Sequence, residues 1–140
     1  MTVGLNSTAT DACSTPTFVE TRVFSDEANL AAGMPAATTP DATLAGGGLP
    51  SSILRLRAER RSGPGGVLGN TANPLNDGRV YLILVRWTDG TNQGFKSRTV
   101  ICPISLTPSK LTSALAQATA ASAVADTTNA APAGFVQLVP

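Results

Sequence analysis

The most strongly apolar stretch of the chain predicts a β-strand over residues 79–88. Its apolar side chains alternate between two faces, with Val80, Leu82 and Leu84 on one and Tyr81, Ile83, Val85 and Trp87 on the other. A strand that is apolar on both faces is typical of the middle of a sandwich. Asp89-Gly90 is a favoured hairpin turn, so residues 95–102 are predicted to return as the partner strand and to stop at Pro103.

Alternating apolar and polar residues predict four more strands, over 2–10, 17–24, 42–44 and 52–60. In the second of these, simple alternation puts Val19, Thr21 and Val23 on one face and Phe18, Glu20, Arg22 and Phe24 on the other. In the last, we expect Leu54, Leu56 and Ala58 to enter the core. The intervening stretches, 25–50 and 62–77, contain many glycine and proline residues and are predicted to be largely irregular.

The amino-acid composition of the chain changes after Pro103. Residues 108–125 are rich in alanine and predict either a helix that begins near Lys110 and is capped by Ser109, or a disordered tail, since the apolar stripe is thin. Residues 134–140 form a short β-like segment, which needs a partner because an unpaired strand is exposed to edge-to-edge association. The chain is therefore divided into a β-sandwich over 1–103 and an extension over 104–140.

Composition excludes several functions. The 140 residues carry a net charge of +1 and only 14% charged residues, so nothing favours nucleic acid as a partner. The chain has no histidine, which removes the commonest general base and zinc ligand, and we expect neither an enzyme nor a metal cofactor. No apolar run approaches the roughly 20 residues that span a bilayer, and no membrane insertion is expected. The N-terminus lacks the features of a signal peptide, so we expect either that a leader has been removed or that the sequence is a fragment.

Six short motifs follow one another along the chain: Thr10-Asp-Ala-Cys13, Ser25-Asp-Glu27, Pro40-Asp41-Ala, Leu56-Arg-Ala-Glu-Arg60, Gly78-Arg-Val-Tyr81 and Thr88-Asp-Gly-Thr-Asn92. Their order resembles a bacterial immunoglobulin-like module of the HYR/PKD-like type, over about residues 2–103. The resemblance implies an immunoglobulin-like antiparallel β-sandwich with an extracellular structural or adhesive role and no catalysis. Such modules carry a further strand before the position of Met1, so we expect the sheet to lack an edge strand.

Few residues are candidates for a site. Glu59 and Arg79 lie on adjacent stretches of the chain and are predicted to form a structural ion pair. A catalytic role for Glu59 would need a second acid nearby, which the sequence pattern does not supply. Tyr81 and Trp87 are predicted as core aromatic residues, with the Tyr81 hydroxyl bonded to backbone; the rival for Trp87 is a platform on which a surface glycan stacks.

Cys13 and Cys102 are an even pair in a chain expected to be exported, which favours a disulfide within the chain. Pairing between chains and free thiols stay open, because alternation can place the two residues at opposite ends of the sandwich. Acids in predicted loops can bind calcium, but no repeat spacing is present, and solvated turn roles are the other interpretation. These acids are Asp11, Asp26, Glu27, Asp41 and Asp89.

The predicted function is an extracellular subunit that self-associates, head-to-tail into a filament, by donating its C-terminal strand. The donated residues are Phe135, Val136, Leu138 and Val139. Alternatively, the tail folds back on its own sheet and the chain is a monomeric spacer or adhesion module of a larger surface protein. A sugar-binding accessory domain is a third reading, disfavoured by an aromatic content of only 4%.

Overall fold

The structure, a computed structural model, describes residues 1–27, 40–46, 53–58 and 77–139. Within these ranges the strands are β1 (Thr2–Gly4), β2 (Thr17–Ser25), β3 (Ala42–Ala45), β4 (Ile53–Leu56), β5 (Gly78–Thr88), β6 (Gln93–Pro103) and β7 (Val136–Val139). The helix α1 spans Pro108–Thr128. For the extension, the helical alternative and the terminal strand are therefore confirmed.

The strands form two antiparallel sheets, one ordered β1-β4-β3 and the other β6-β5-β2-β7. An apolar core contains residues of both sheets: Val23, Tyr81, Ile83 and Val85 from the larger, and Leu54 and Leu56 from the smaller. Burial of these side chains stabilises the fold by about 1.5–3 kcal/mol for each large aliphatic residue. The predicted mostly-β architecture with two packed sheets is confirmed at this level.

Strand β5 is buried on both faces because a different element covers each face. Tyr81, Ile83 and Val85 belong to the core shared with the smaller sheet. Leu82 and Leu84 belong to a second cluster, which includes Ala125 of α1. The helix therefore covers the outer face of the larger sheet and makes a third layer, in agreement with the observation that strands covered on both sides are apolar throughout.

Strand β2 departs from simple alternation. Phe18 lies opposite Trp87 but Glu20 lies opposite Arg86, so β2 contains one extra residue at Val19. Such a bulge leaves one residue out of the ladder and shifts the side chains before it to the other face. Phe18 consequently packs against the same core as Val23, and Val19 is 39% exposed. The predicted separation of Phe18 from Val23 was wrong.

Two predicted strands are shorter in the structure. Strand β1 stops at Gly4, which lies opposite Ile53, the first residue of β4. Strand β4 stops at Leu56, so Ala58 is exposed and does not enter the core as predicted.

Gly78 begins β5 with a backbone that requires glycine. Its φ is +122°, which side chains with a Cβ rarely adopt. A Cβ there would also collide with the carbonyl oxygen of Cys102 and the amide of Ile104. The close approach fixes the start of β5 against the end of β6.

The ends of α1 differ from the expected ones. Thr107 occupies the N-cap and makes no side-chain capping bond, with Pro108 in the first turn, so Ser109 is inside the helix. The helix ends at Asn129, whose φ of 54° is left-handed and whose N–H donates to the Ala125 carbonyl. In the described part of the chain, no helix is both long and apolar enough to cross a membrane.

Candidate functional site: the C-terminal arm and its docking face

Residues 104–139, here called the C-terminal arm, return across the larger sheet of their own chain. The buried face of α1 consists of alanines only: Ala114, Ala118, Ala121 and Ala125. This spacing places them on one side of the helix, where their small side chains let α1 approach β5 and β6 closely. The face of α1 that packs on the sheet therefore has small side chains only, and each of them buries little apolar area.

Polar contacts orient the helix on the sheet. Asp126 accepts a hydrogen bond from the backbone N–H of Ser97 at 2.7 Å and forms an ion pair with Lys96. The hydroxyls of Ser97 and Ser122 lie 2.7 Å apart, at hydrogen-bond distance. These bonds are directional and fix the register of α1 along β6.

The end of the helix is held by Arg22 of β2. Its guanidinium donates to both the carbonyl and the side-chain oxygen of Asn129, each at 2.9 Å. Asn129 thus ends the helix and ties this end to the sheet. A cation at the C-terminus of a helix is also favoured by the helix dipole.

Strand β7 completes the arm by pairing with the outer edge of β2. Val139 lies opposite Val23, and Val136 lies opposite Ser25, with a register irregularity between them. Leu138 and Val139 pack against the core between the sheets, while Phe135 packs against the cluster under α1. In the single chain, all four residues predicted to self-associate therefore lie on their own sheet.

A buried ionic cluster surrounds Arg79, close to Ser25 at the end of β2. Its guanidinium lies 3.0 Å from Glu27 and 2.9 Å from Asp41, and it donates to the Tyr81 hydroxyl at 3.0 Å. All three charged side chains are nearly inaccessible. Glu59, the predicted partner of Arg79, lies outside the described residues. The solvated loop roles expected for Glu27 and Asp41 were wrong, because strand ends converge there and bury both.

Tyr81 is fully buried, and its hydroxyl donates to the Arg57 carbonyl at 2.6 Å. Trp87 is partly buried at the other end of β5, where its ring meets the edge of Phe18 at 5.7 Å between centroids. Its indole N–H donates to the Ser7 hydroxyl at 3.2 Å. The two aromatic residues thus mark opposite ends of the strand.

Asp26 links the ionic cluster to the arm. One carboxylate oxygen accepts the Val80 N–H at 2.8 Å, and a hydrogen bond also joins the side chain to Gln117 of α1. Burial raises the pKa of Asp26 to about 7, although the bonds from Val80 and Gln117 act in the opposite direction. Asp77, two residues before Arg79, is also buried, and its carboxylate oxygens accept no hydrogen bond from the part of the chain that the structure describes. The acids expected in solvated loops are thus partly interior groups.

The remaining loop acids do take turn roles. Asp11 accepts the backbone N–H groups of Cys13 and Ser14. Asp89 accepts those of Thr91 and Asn92 in the hairpin, and these bonds, first that from Asn92, lower the pKa of Asp89 to about 2. Among the residues that the structure describes, no group of three or more acids or thiols is placed to hold a metal ion.

No disulfide bond joins Cys13 to Cys102 in the structure. Cys13 is exposed in the turn before β2, whereas Cys102 is buried near the end of β6. The predicted pairing therefore has no structural support.

Sequence reasoning missed the residues that dock the arm, namely Arg22, Lys96, Ser97, Ser122, Asp126 and Asn129. A signal was present, since the helix pattern repeats alanine at positions 114, 118, 121 and 125 and β5 offers a second apolar face. Together these features indicate a helix packed closely on a sheet.

Comparison of the chain with protein-family models, with curated proteins and with solved structures gave no match. What the chain does must therefore be argued from its own geometry.

Proposed function

We propose that this chain is an extracellular structural subunit that self-associates by exchanging β7 between neighbours. In the assembly, β7 of one subunit lies beside β2 of the next, in the place where it lies on its own chain in the monomer. Each subunit both gives and accepts a strand, so the contact is head-to-tail and extends into a filament.

The proposal rests on the short ladder by which β7 pairs with β2. Its ladder covers only Val23, Phe24 and Ser25 of β2 and contains an irregularity, so little backbone pairing is lost when it leaves. The linker between α1 and β7 is residues 129–135, and it can span about 24 Å when extended. Exchange preserves the contacts between β7 and β2 and alters only those of the linker, which makes it a low-cost route to association.

The immunoglobulin-like identity and the location outside the cell belong to the same proposal. They are supported by the order of the six motifs, by a chain rich in small and hydroxylated residues, and by two packed antiparallel sheets. A non-catalytic role for two of the buried acids, Glu27 and Asp41, is supported by their ion pairs with Arg79.

The second candidate is a monomeric spacer or adhesion module. One observation favours it directly, because in the single chain β7 already occupies the edge of β2. The two candidates share this closed form and differ only in whether the strand exchanges.

Removal of residues 130–140 tests the proposal. We expect light scattering across a concentration series to show oligomers for the full chain and only monomers for the truncated one. Gln137→Ala is the matched control, because this exposed side chain bonds within β7, to the Val139 carbonyl, and its loss leaves the residues of the β2–β7 ladder in place. Near-ultraviolet circular dichroism must show that the truncated sandwich is folded. If the folded truncated chain forms the same oligomers, or if the full chain is monomeric throughout, the proposal is wrong.

A further inference from the structure

A small pocket opens at the end of the sandwich away from β7. It lies between the turn at Asp11 and the hairpin that joins β5 to β6, and it has a volume of about 210 Å³. Its lining includes Trp87 and a polar rim of Thr10, Asp11, Asn92 and Gln93. A small-ligand site combines apolar or aromatic surface with a few polar groups that orient the ligand.

Contacts within the protein position the Trp87 indole. Its N–H is engaged by Ser7 at 3.2 Å, and the Phe18 ring meets it edge-on at an interplanar angle of 81°. Contacts from these two sides fix the plane of the ring. A fixed aromatic surface suits a flat apolar ligand face, because little conformational freedom is lost on binding.

The polar rim has both donors and acceptors to spare. The Asn92 amide N–H₂ donates to Asp89, and the Gln93 amide oxygen accepts from Arg86, so each amide keeps its other end for a ligand. Asp11 uses one carboxylate oxygen for the N–H groups of its turn, leaving the second. Hydroxyl groups, which donate and accept at once, match this mixed rim.

Charge narrows the ligand class further. Among the residues that the structure describes, Asp11 and Asp89 line the pocket and no lysine or arginine does. The turn bonds that lower the pKa of Asp89 keep its carboxylate ionised at neutral pH. An anionic ligand would be repelled, so a neutral polyhydroxyl ligand fits better than an acidic one.

We infer that this pocket binds one neutral sugar ring of a glycan, with the C–H face of the ring on Trp87 and its hydroxyls on Gln93, Asn92 and Asp11. The inference is independent of strand exchange, since the pocket and β7 adjoin opposite ends of β2. It gives the subunit a way to attach to a glycan-coated surface.

Trp87 is the only tryptophan in the chain, so intrinsic fluorescence reports on this pocket alone. The probes are methyl glycosides of glucose, galactose, mannose and N-acetylglucosamine, with glucuronic acid as the anionic comparison. We expect a saturable emission change with at least one neutral glycoside, half-saturated at about 1 mM or above because the ligand is small.

Gln93→Ala is expected to weaken binding about 2–10-fold through the loss of one hydrogen bond. The control Gln137→Ala, an exposed glutamine in β7, should leave binding unchanged. The inference is overturned if no neutral glycoside gives a saturable change, if Gln93→Ala binds as well as the unaltered chain, or if glucuronic acid binds more tightly than every neutral glycoside.

Discussion

The two faces of the larger sheet are covered in different ways. On the inner face, β5 meets the smaller sheet through large side chains such as Tyr81, Leu54 and Leu56, all of them buried. On the outer face, it meets α1 through alanines and a few directional polar bonds. Large buried side chains supply most of the stability of a fold, and alanines supply far less. The inner face is therefore closed by larger side chains on both sides, and we expect the arm to be held less strongly than the two sheets hold each other.

The largest expected effect lies at the end of the inner face. Arg79→Met leaves Glu27 and Asp41 buried without their cation, and we expect it to lower the free energy of unfolding by about 3–5 kcal/mol. The matched control is Arg86→Met in the same strand. Arg86 pairs with the partly exposed Glu20, so its loss should cost no more than about 1 kcal/mol. Urea denaturation measures both, and equal losses would show that the cluster is not a special support of the sandwich.

A second prediction concerns the pH dependence of stability, through Asp26, which joins the ionic cluster to the arm. The folded-state pKa of Asp26, about 7, exceeds the ordinary aspartate pKa of 3.8, so the folded chain binds this proton more tightly than the unfolded chain. The corresponding stability is fully present below about pH 4 and is lost as the pH rises to about 7, at roughly 1 kcal/mol per pH unit.

Asp26→Asn should remove this dependence, since asparagine does not titrate. Denaturation at a series of pH values between 4 and 8 measures the slope attributable to Asp26, by subtracting the variant from the unaltered chain. A difference that is flat, or that rises with pH, would contradict the position of Asp26 as a buried acid between the sheet and α1.

Overpacking the arm tests the outer face by itself. Ala118→Leu forces a large side chain between α1 and the sheet and should cost about 1–3 kcal/mol. We expect hydrogen exchange to accelerate in α1 and β7, while β5 keeps its protection. Ala120→Leu, on the exposed side of the same helix, is the control. If β5 loses protection together with α1, the arm and the sandwich are one cooperative unit.

Elements with local signals could be predicted from the sequence, whereas features that depend on pairing across the fold could not. Alternation and turn chemistry located β5 and β6, because these signals are local, whereas the helix was predicted only as one of two alternatives for residues 108–125. The bulge at Val19 could not be seen, since it depends on how β2 pairs with β5. The apolar outer face of β5 was visible, but its partner was a stripe of alanines with little contrast to its surroundings. The roles of Asp26, Glu27 and Asp41 were missed because burial there arises from strand ends brought together by the fold.

The most direct test of strand exchange is a cross-link between β2 and β7. Ser25 and Val136 lie opposite each other in the antiparallel ladder, a position from which two cysteines can form a disulfide. Ser25→Cys with Val136→Cys would be placed in a chain also carrying Cys13→Ser and Cys102→Ala, and oxidised over a range of protein concentrations. Non-reducing electrophoresis then separates bonds within a chain from bonds between chains.

Strand exchange predicts a ladder of covalent oligomers whose share grows with concentration, while chains with only one of the two new cysteines stop at dimers. A single band of internally cross-linked monomer at every concentration would contradict strand exchange and leave the monomeric module as the function.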